Sequence, residues 1–224
     1  MPTELEFRGP LTRAKFYELN RKLRALSRRR KRLDRLTMMY FPPGFARATI
    51  SKSRMDIRLR INNYKPELVM KIGHQNSPSR SEFTIEIGQA SFIDTVEFLS
   101  SLGFTRGFLQ RQYKDLYDYK GIEIDLGYIE HFGYYFEVEK VVYDKNELEG
   151  AKSSINRLCR GLGLRFYGKK EYKEAIARLD SMQESFDLRR ISIAEIMKSN
   201  PGYFGGINAA YSKLKRKSSY VYRY

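Results

Sequence analysis

Glu4, Glu6 and Arg8 occupy every second position of the stretch TELEFRGP, with Leu5 and Phe7 between them. In an extended strand this spacing sends the charged side chains to one face and the apolar ones to the other. The pattern recurs along the chain. Arg58 and Arg60 alternate with Ile57, Leu59 and Ile61, and Lys71 stands between Met70 and Ile72. Glu82, Thr84 and Glu86 alternate with Phe83, Ile85 and Ile87. Asp125 lies between Ile124 and Leu126, and Glu137 and Glu139 flank Val138. Carboxylates bind hard divalent cations, while Lys and Arg hold phosphate oxygens. A face carrying both suits a substrate that is phosphate-rich and metal-loaded. The ordinary alternative is a half-buried sheet whose salt-bridged face looks at water. Repetition on six strands favours a curved sheet with converging charged faces, a tunnel whose charges must pair or bind ions to offset their desolvation.

Composition narrows the chemistry. A length of 224 residues fits one large domain, or a domain with an appendage, and 42% hydrophobic residues can supply a core. A net charge of +16 points to anionic partners. Cys159 is the only cysteine, which excludes a disulfide framework and a Cys-rich zinc site, and fits a reducing, cytoplasmic compartment. His74 and His131 lie far apart, which argues against a His-based metal site or a Ser-His-Asp arrangement. No apolar run is long enough to span a bilayer and no signal-peptide core opens the chain, so a soluble intracellular protein is expected. Chemistry must then rest on carboxylates, Lys and Arg.

The elements needed to position these groups follow from periodicity. Phe16, Leu19, Leu23, Leu26 and Leu33 predict a helix over 13–35, with the basic run Arg28–Arg32 on its solvated face. Strands are predicted at 3–10, 36–41, 56–62, 67–73, 81–88, 108–119, 121–129 and 134–143, joined by turn-forming sequences such as NNYKP. Helices are predicted at 92–102, 147–162 and 169–184. The expectation is an α+β fold: a closed or strongly curved antiparallel eight-stranded β-barrel, a tunnel, with helices packed outside. Residues 1–184 would form the tunnel domain. Residues 185–224 would form a basic, Tyr-rich extension in which PGYFGG acts as a breaker.

In order and spacing these motifs resemble the CYTH family, the triphosphate tunnel metalloenzymes, which include class IV adenylate cyclases and thiamine triphosphatases. The family's opening E-x-E-x-K reads Glu4-Leu5-Glu6-Phe7-Arg8, with Arg for Lys. Its R-x-R strand reads Arg58-Leu59-Arg60, its T-x-K strand Val69-Met70-Lys71, its R-x-E strand Arg80-Ser81-Glu82, and its L-G-F Leu102-Gly103-Phe104. The stretch 114–139, KDLYDYKGIEIDLGYIEHFGYYFEVE, is similar to the cyclase-like pattern, and EYKEAIARL at 171–179 is similar to the family's S-Y-x-E-L-L helix. The acid of the family's Q-x-D-x-Y-F strand is replaced in LTMMYF at 36–41. Gly127 stands where the family has a metal-side Asp, with Asp125 two residues earlier on the same face, and Gln112 stands in place of a basic residue.

The resemblance implies an enzyme that acts on a triphosphate by hydrolysis or by cyclisation of ATP. It implies Mg²⁺ or Mn²⁺ at Glu4, Glu6, Asp125, Glu137 and Glu139. Phosphates would be held by Arg8, Arg58, Arg60, Lys71, Arg80 and Lys114, and Glu6, Lys71, Lys114 and Glu139 would form the catalytic set. Partners would be a triphosphate-containing small molecule or an RNA 5′-triphosphate, with no membrane, and a homodimer is left open. The alternative is a nucleic-acid-binding protein with a catalytically silent tunnel. It would use the Arg28–Arg32 helix and the tail from Lys213, with Tyr220, Tyr222 and Tyr224 stacking on bases.

Overall fold

A computed structural model describes residues 3–47, 49, 52–73 and 81–218; side chains at 3, 4, 29, 145 and 211–218 lie outside that description. The chain is an α+β protein built on an antiparallel sheet. Its hydrogen-bonded path runs through β1 (Thr3–Pro10), β8 (Gly133–Val142), β7 (Ile122–Ile129), β6 (Arg106–Tyr119), β2 (Arg29–Tyr40), β3 (Met55–Asn62), β4 (Lys65–Ile72) and β5 (Ser81–Glu86). A ninth strand, β9 (Glu184–Asp187), pairs with the first residues of β6. The helices are α1 (Arg13–Leu26), α2 (Phe92–Ser101), α3 (Leu148–Leu162), α4 (Lys169–Met182), α5 (Ile193–Ser199) and α6 (Pro201–Ser218). Among the described residues no helix is long and apolar enough to cross a membrane. Packing divides the chain into two units. The first comprises Met1–Asp34, Asn76–Arg80 and Arg111–Gln183; the second comprises Arg35–Gln75, Ser81–Gln110 and Glu184–Tyr224.

In the first unit β1, β8 and β7 alternate as their sequences require. Ile124, Leu126, Phe136 and Val138 are fully buried on one face, with Leu5 and Phe7 packed beside them. That face is covered by Phe16, Leu19 and Leu23 of α1 and by Ile155, Cys159 and Leu162 of α3. Thr12 caps α1 by accepting a hydrogen bond from the Lys15 amide. Gly163 ends α3 in the left-handed region at φ 65°.

The helix predicted over 13–35 is corrected: it stops at Leu26, and Arg29–Tyr40 is a strand. Ser27 turns the chain out, its amide still bonded to Leu23 O at 2.7 Å and its hydroxyl donating to Asp118 O at 3.1 Å. The next amide, Arg28, also donates to Asp118 O. The backbone of β6 thus takes over the donors that a longer helix would have kept. The basic run Arg28–Arg32 therefore leads into and lies on a strand, not on a solvated helix face.

Burial pushes the Cys159 thiol up to about 12, so it stays protonated and inert at ordinary pH. Ellman's reagent at pH 8 is expected to find no reactive thiol in the native chain and one per chain in denaturant. Rapid native labelling would contradict the packing of α3.

In the second unit Leu36, Met38 and Tyr40 lie opposite Ile61, Leu59 and Ile57 across β2 and β3. α2, α5 and α6 cover them through Phe92, Val96, Leu99, Ile196, Phe204 and Ile207. The segment PGYFGG is not a breaker; it opens α6. Proline is tolerated in a first helical turn, where its missing N–H has no intrahelical partner to lose. The helix cost of the glycines is offset by burial of Phe204 and Ile207, and Phe204 meets Phe92 edge-on at 5.5 Å. β9 and α5 are elements that the sequence reading did not predict. His74, Arg80, Tyr220, Tyr222 and Tyr224 lie outside the described residues.

Candidate active site

The charged faces can be built from strand register, because residues directly opposite in an antiparallel pair share a face. In the first unit Glu6 lies opposite Glu139, Arg8 opposite Glu137, and Glu137 opposite Asp125. Gly127 lies between Lys114 of β6 and Tyr135 of β8. The face turned away from the core thus gathers Glu6, Arg8, Lys114, Asp125, Glu137 and Glu139. Glu4 extends the same row on β1, opposite Val141.

The side chains form a chain of alternating sign. Lys114 Nζ pairs with Asp125 Oδ2 at 2.8 Å and with Glu137. Glu137 Oε1 reaches Arg8 Nε at 2.8 Å, and Arg8 also pairs with Glu6. Arg8 Nη1 donates to the hydroxyl of Tyr172 on α4 at 3.2 Å. Lys114 and Asp125 are almost fully buried. Burial above all, with Glu137 adding to it, raises the Glu6 carboxyl; Arg8 and Lys114 only partly hold it down. Burial works against the Arg8 charge, but Glu137 and Glu6 outweigh it and keep the guanidinium ionised.

Among the described residues no three acidic, His or Cys side chains come together as a ready-made metal cage. Arg8 and Lys114 are interleaved with the carboxylates instead. Glu6 and Glu139 still occupy directly opposed positions. A hydrated Mg²⁺ commonly takes one or two carboxylates and completes its shell with water and substrate phosphate. This donor set fits a metal that arrives with its substrate.

Gly127 has a specific cause. A Cβ there would collide with the Tyr135 ring, which lies across β7 and accepts a hydrogen bond from Gln112 Nε2 on β6. The position that would hold an Asp by resemblance is therefore covered by a phenol, and Asp125 beside it pairs with Lys114. Gly127→Ala is expected to lower stability by about 1–3 kcal/mol in denaturant melts, the usual range for overpacking. An unchanged midpoint would mean that the ring moves aside freely.

The second unit carries a separate charged face on β3, β4 and β5. Arg58 grips Asp56 with two bonds, Nε to Oδ1 at 2.9 Å and Nη2 to Oδ2 at 2.5 Å. Lys71 lies opposite Glu82 and pairs with it. Arg60 Nη1 touches Glu82 at 3.4 Å and Glu67 at 3.5 Å, both long. Arg60 Nε is buried without a hydrogen-bond partner among the described residues. Burial first, then the neighbouring Arg58 and Arg35 guanidiniums, lower the Arg60 pKa to about 10. Burial likewise lowers Lys71 against the pull of Glu82. Burial tends to raise the Glu82 carboxyl, yet Lys71 and Arg60 bring it below the ordinary range. The cations on this face are crowded, and Arg60 meets its two acidic neighbours only at long range.

The predicted residues thus fall into two groups, Glu6, Arg8, Lys114, Asp125, Glu137 and Glu139 on the first unit, and Arg58, Arg60 and Lys71 on the second. Asp56, Glu67, Tyr135 and Tyr172 take part in these networks but were not predicted. Tyr172 sits in the EYKEAIARL segment that had been singled out without a role. Asp115 was also missed. It lies on the opposite side of β6 from Lys114, where Arg30 Nη2 reaches it at 2.6 Å and the Tyr113 hydroxyl donates to it at 2.8 Å. Arg32 Nε donates to that same Tyr113 hydroxyl at 2.7 Å.

Comparison with known proteins adds a family and a fold. The family model described as the CYTH domain matches residues 2–165. No curated protein matches the chain. Among solved structures, a protein of Pyrococcus horikoshii OT3 is 24% identical with a TM-score of 0.61, covering 78% of this chain and 98% of its own. A candidate adenylate cyclase of Vibrio parahaemolyticus is 12% identical with a TM-score of 0.60, over 78% and 98% of the two chains. A candidate adenylyl cyclase of Hippeastrum, in which triphosphatase activity dominates, is 16% identical with a TM-score of 0.52, over 75% and 91%. At these identities the likeness is one of fold.

Proposed function

Because the chain belongs to the CYTH domain family, we propose that it is a metal-dependent enzyme that hydrolyses a triphosphate, organic or inorganic. The observation that carries this reading is the Arg58–Arg60–Lys71 face, where the buried Arg60 Nε lacks a hydrogen-bond partner among the described residues and three mutually repelling cations lie close together. Phosphoryl oxygens supply that kind of acceptor.

Glu6 and Glu139, with Glu4, Glu137 and Asp125 nearby in register, would hold the divalent cation. Bound there, it would neutralise phosphate charge and lower the pKa of a water. The chain's own residues do the rest. Arg58, Arg60 and Lys71 bind the polyphosphate and neutralise charge that builds on it. Lys114 and Arg8 hold Glu137 in place, and Lys114 also holds Asp125. Positioning and charge neutralisation account for most of phosphoryl transfer chemistry.

Hydrolysis needs only a positioned water. Cyclisation of ATP would also need a pocket for the base and an in-line ribose hydroxyl. The nucleic-acid reading loses its basic helix, since Arg30 and Arg32 are strand residues tied to Asp115 and Tyr113. A cytoplasmic setting belongs to the same proposal, with phosphate-rich metabolites or RNA 5′-triphosphates as the substrate pool.

The test is incubation with tripolyphosphate, and separately with ATP, in Mg²⁺ or Mn²⁺, followed by product separation. Orthophosphate release that disappears in Glu139→Ala is the expected result. Cyclic AMP with pyrophosphate would replace hydrolysis by cyclisation. No product from either substrate, with no binding of either, would overturn the reading.

A further inference from the structure

The site contains a donor that neither the charge pattern nor the mechanism above uses. Lys114, Gly127 and Tyr135 lie side by side on β6, β7 and β8. With no side chain at Gly127, the Tyr135 ring crosses β7 and its hydroxyl accepts a hydrogen bond from Gln112 Nε2. Gln112 shares a face with Lys114, two residues along the same strand. The amide fixes the phenol by giving it a hydrogen, so the phenol's own O–H is left to donate elsewhere. Among the described residues it has no acceptor. Tyr135 is 5% exposed, and Gln112 and Lys114 are 8% exposed. A buried O–H without an acceptor is costly and uncommon.

The surroundings define the missing acceptor. Lys114, Glu137, Asp125 and Arg8 all act on the phenol electrostatically. A phenol is a neutral donor at ordinary pH. A fixed neutral O–H beside an ammonium makes a two-point cradle for an oxyanion.

We propose that Tyr135 is a phosphate-binding residue, donating its hydroxyl hydrogen to a phosphoryl oxygen that Lys114 also contacts. This rests on the triphosphate reading and deepens it. At this point of the face the substrate would meet a phenol rather than a carboxylate, which fits a phosphoryl oxygen held directly by the protein and not through a metal. Gln112 is then a positioning residue that sets the angle of the donor.

The experiment is isothermal titration of the full chain with tripolyphosphate in Mg²⁺, comparing wild type with Tyr135→Phe. The substitution keeps the ring over Gly127 and removes only the oxygen. Binding is expected to weaken by about tenfold, the scale of one hydrogen bond to a charged group, at a temperature where both proteins are folded. Equal affinity in the two proteins would overturn the proposal and leave the triphosphate reading standing. Failure of the wild type to bind would overturn both. Should Tyr135→Phe lower the midpoint, Gln112→Leu takes its place. It keeps the phenol but frees its angle, and a loss of about threefold is expected, with no loss overturning the role.

Discussion

Arg60→Met is expected to make the protein more stable and to abolish its hold on tripolyphosphate. Arg60 is 8% exposed, its two acidic contacts are long, and two further guanidiniums, Arg58 and Arg35, repel it. Its pKa falls from 12.5 to about 10, which expresses the cost of holding that charge in the folded chain. The sign follows from linkage. A base whose folded pKa is depressed weakens the fold at every pH below that value, and the penalty fades as the pH rises through about 10. Met removes that penalty, while Glu82 keeps Lys71 and Glu67 is partly exposed, so no carboxylate is left buried and alone and a net gain is expected. Urea melts at pH 7 should show this gain, and the gap between variant and wild type should narrow towards pH 11. Titration with tripolyphosphate should lose its heat. Together these outcomes would show that the fold is held below its stability optimum by a ligand site. A destabilised variant that still binds would mean that Arg60 is a structural residue paired well enough by Glu67 and Glu82.

Lys114→Met should have the opposite effect on stability. The Lys114 ammonium joins Asp125 to Glu137, and all three side chains are nearly buried. Removing one member of such a group leaves uncompensated buried charge and costs about 3–5 kcal/mol. Triphosphate turnover should vanish as well. A second substitution separates the two losses. Asp125→Asn in the Lys114→Met background removes the charge of a former partner and should recover part of the lost stability without recovering activity. The pairwise energy from the full cycle measures the Lys114–Asp125 contact. If the double variant is no more stable than the single one, the charge network is not what Lys114 supports.

The two substitutions probe charged faces that looked alike in the sequence. Alternation named nearly every strand and told which side chains share a face, because period two is a property of the extended backbone itself. It could not tell which charges pair. Glu137 takes two cations, one of them Arg8 from the far end of the sequence, whereas Arg60 meets Glu67 and Glu82 only at long range, and that difference depends on register. The error at 13–35 had a related origin. Leu33 continues a helical spacing, but the backbone of β6 competes for the amides after Ser27, and competition from a distant strand leaves no local mark. Gly and Pro in PGYFGG signalled a break that burial of Phe204 and Ile207 overrides. Gly127 looked like a lost acid; only the path of the Tyr135 ring shows that the glycine makes room for something. Tyr172 and Asp115 were visible as residues but not as partners, since their roles depend on which element lands against which.

The pairing of β1 with β8 also governs the order in which the chain can assemble during synthesis. Thr3 finds its partner at Val142 and Pro10 at Tyr135. At ordinary translation rates of about 5–20 residues per second, β1 waits for roughly six to twenty-eight seconds before its ladder exists. An apolar strand left open that long would invite pairing with other nascent chains. TELEFRGP carries charge at every second residue, and charge within a β-prone segment blocks such pairing. The carboxylates and the guanidinium proposed to serve the substrate would therefore act earlier as gatekeepers. Neutralising Glu4 and Glu6 should lower soluble yield in cells by more than it changes the melting of the purified protein.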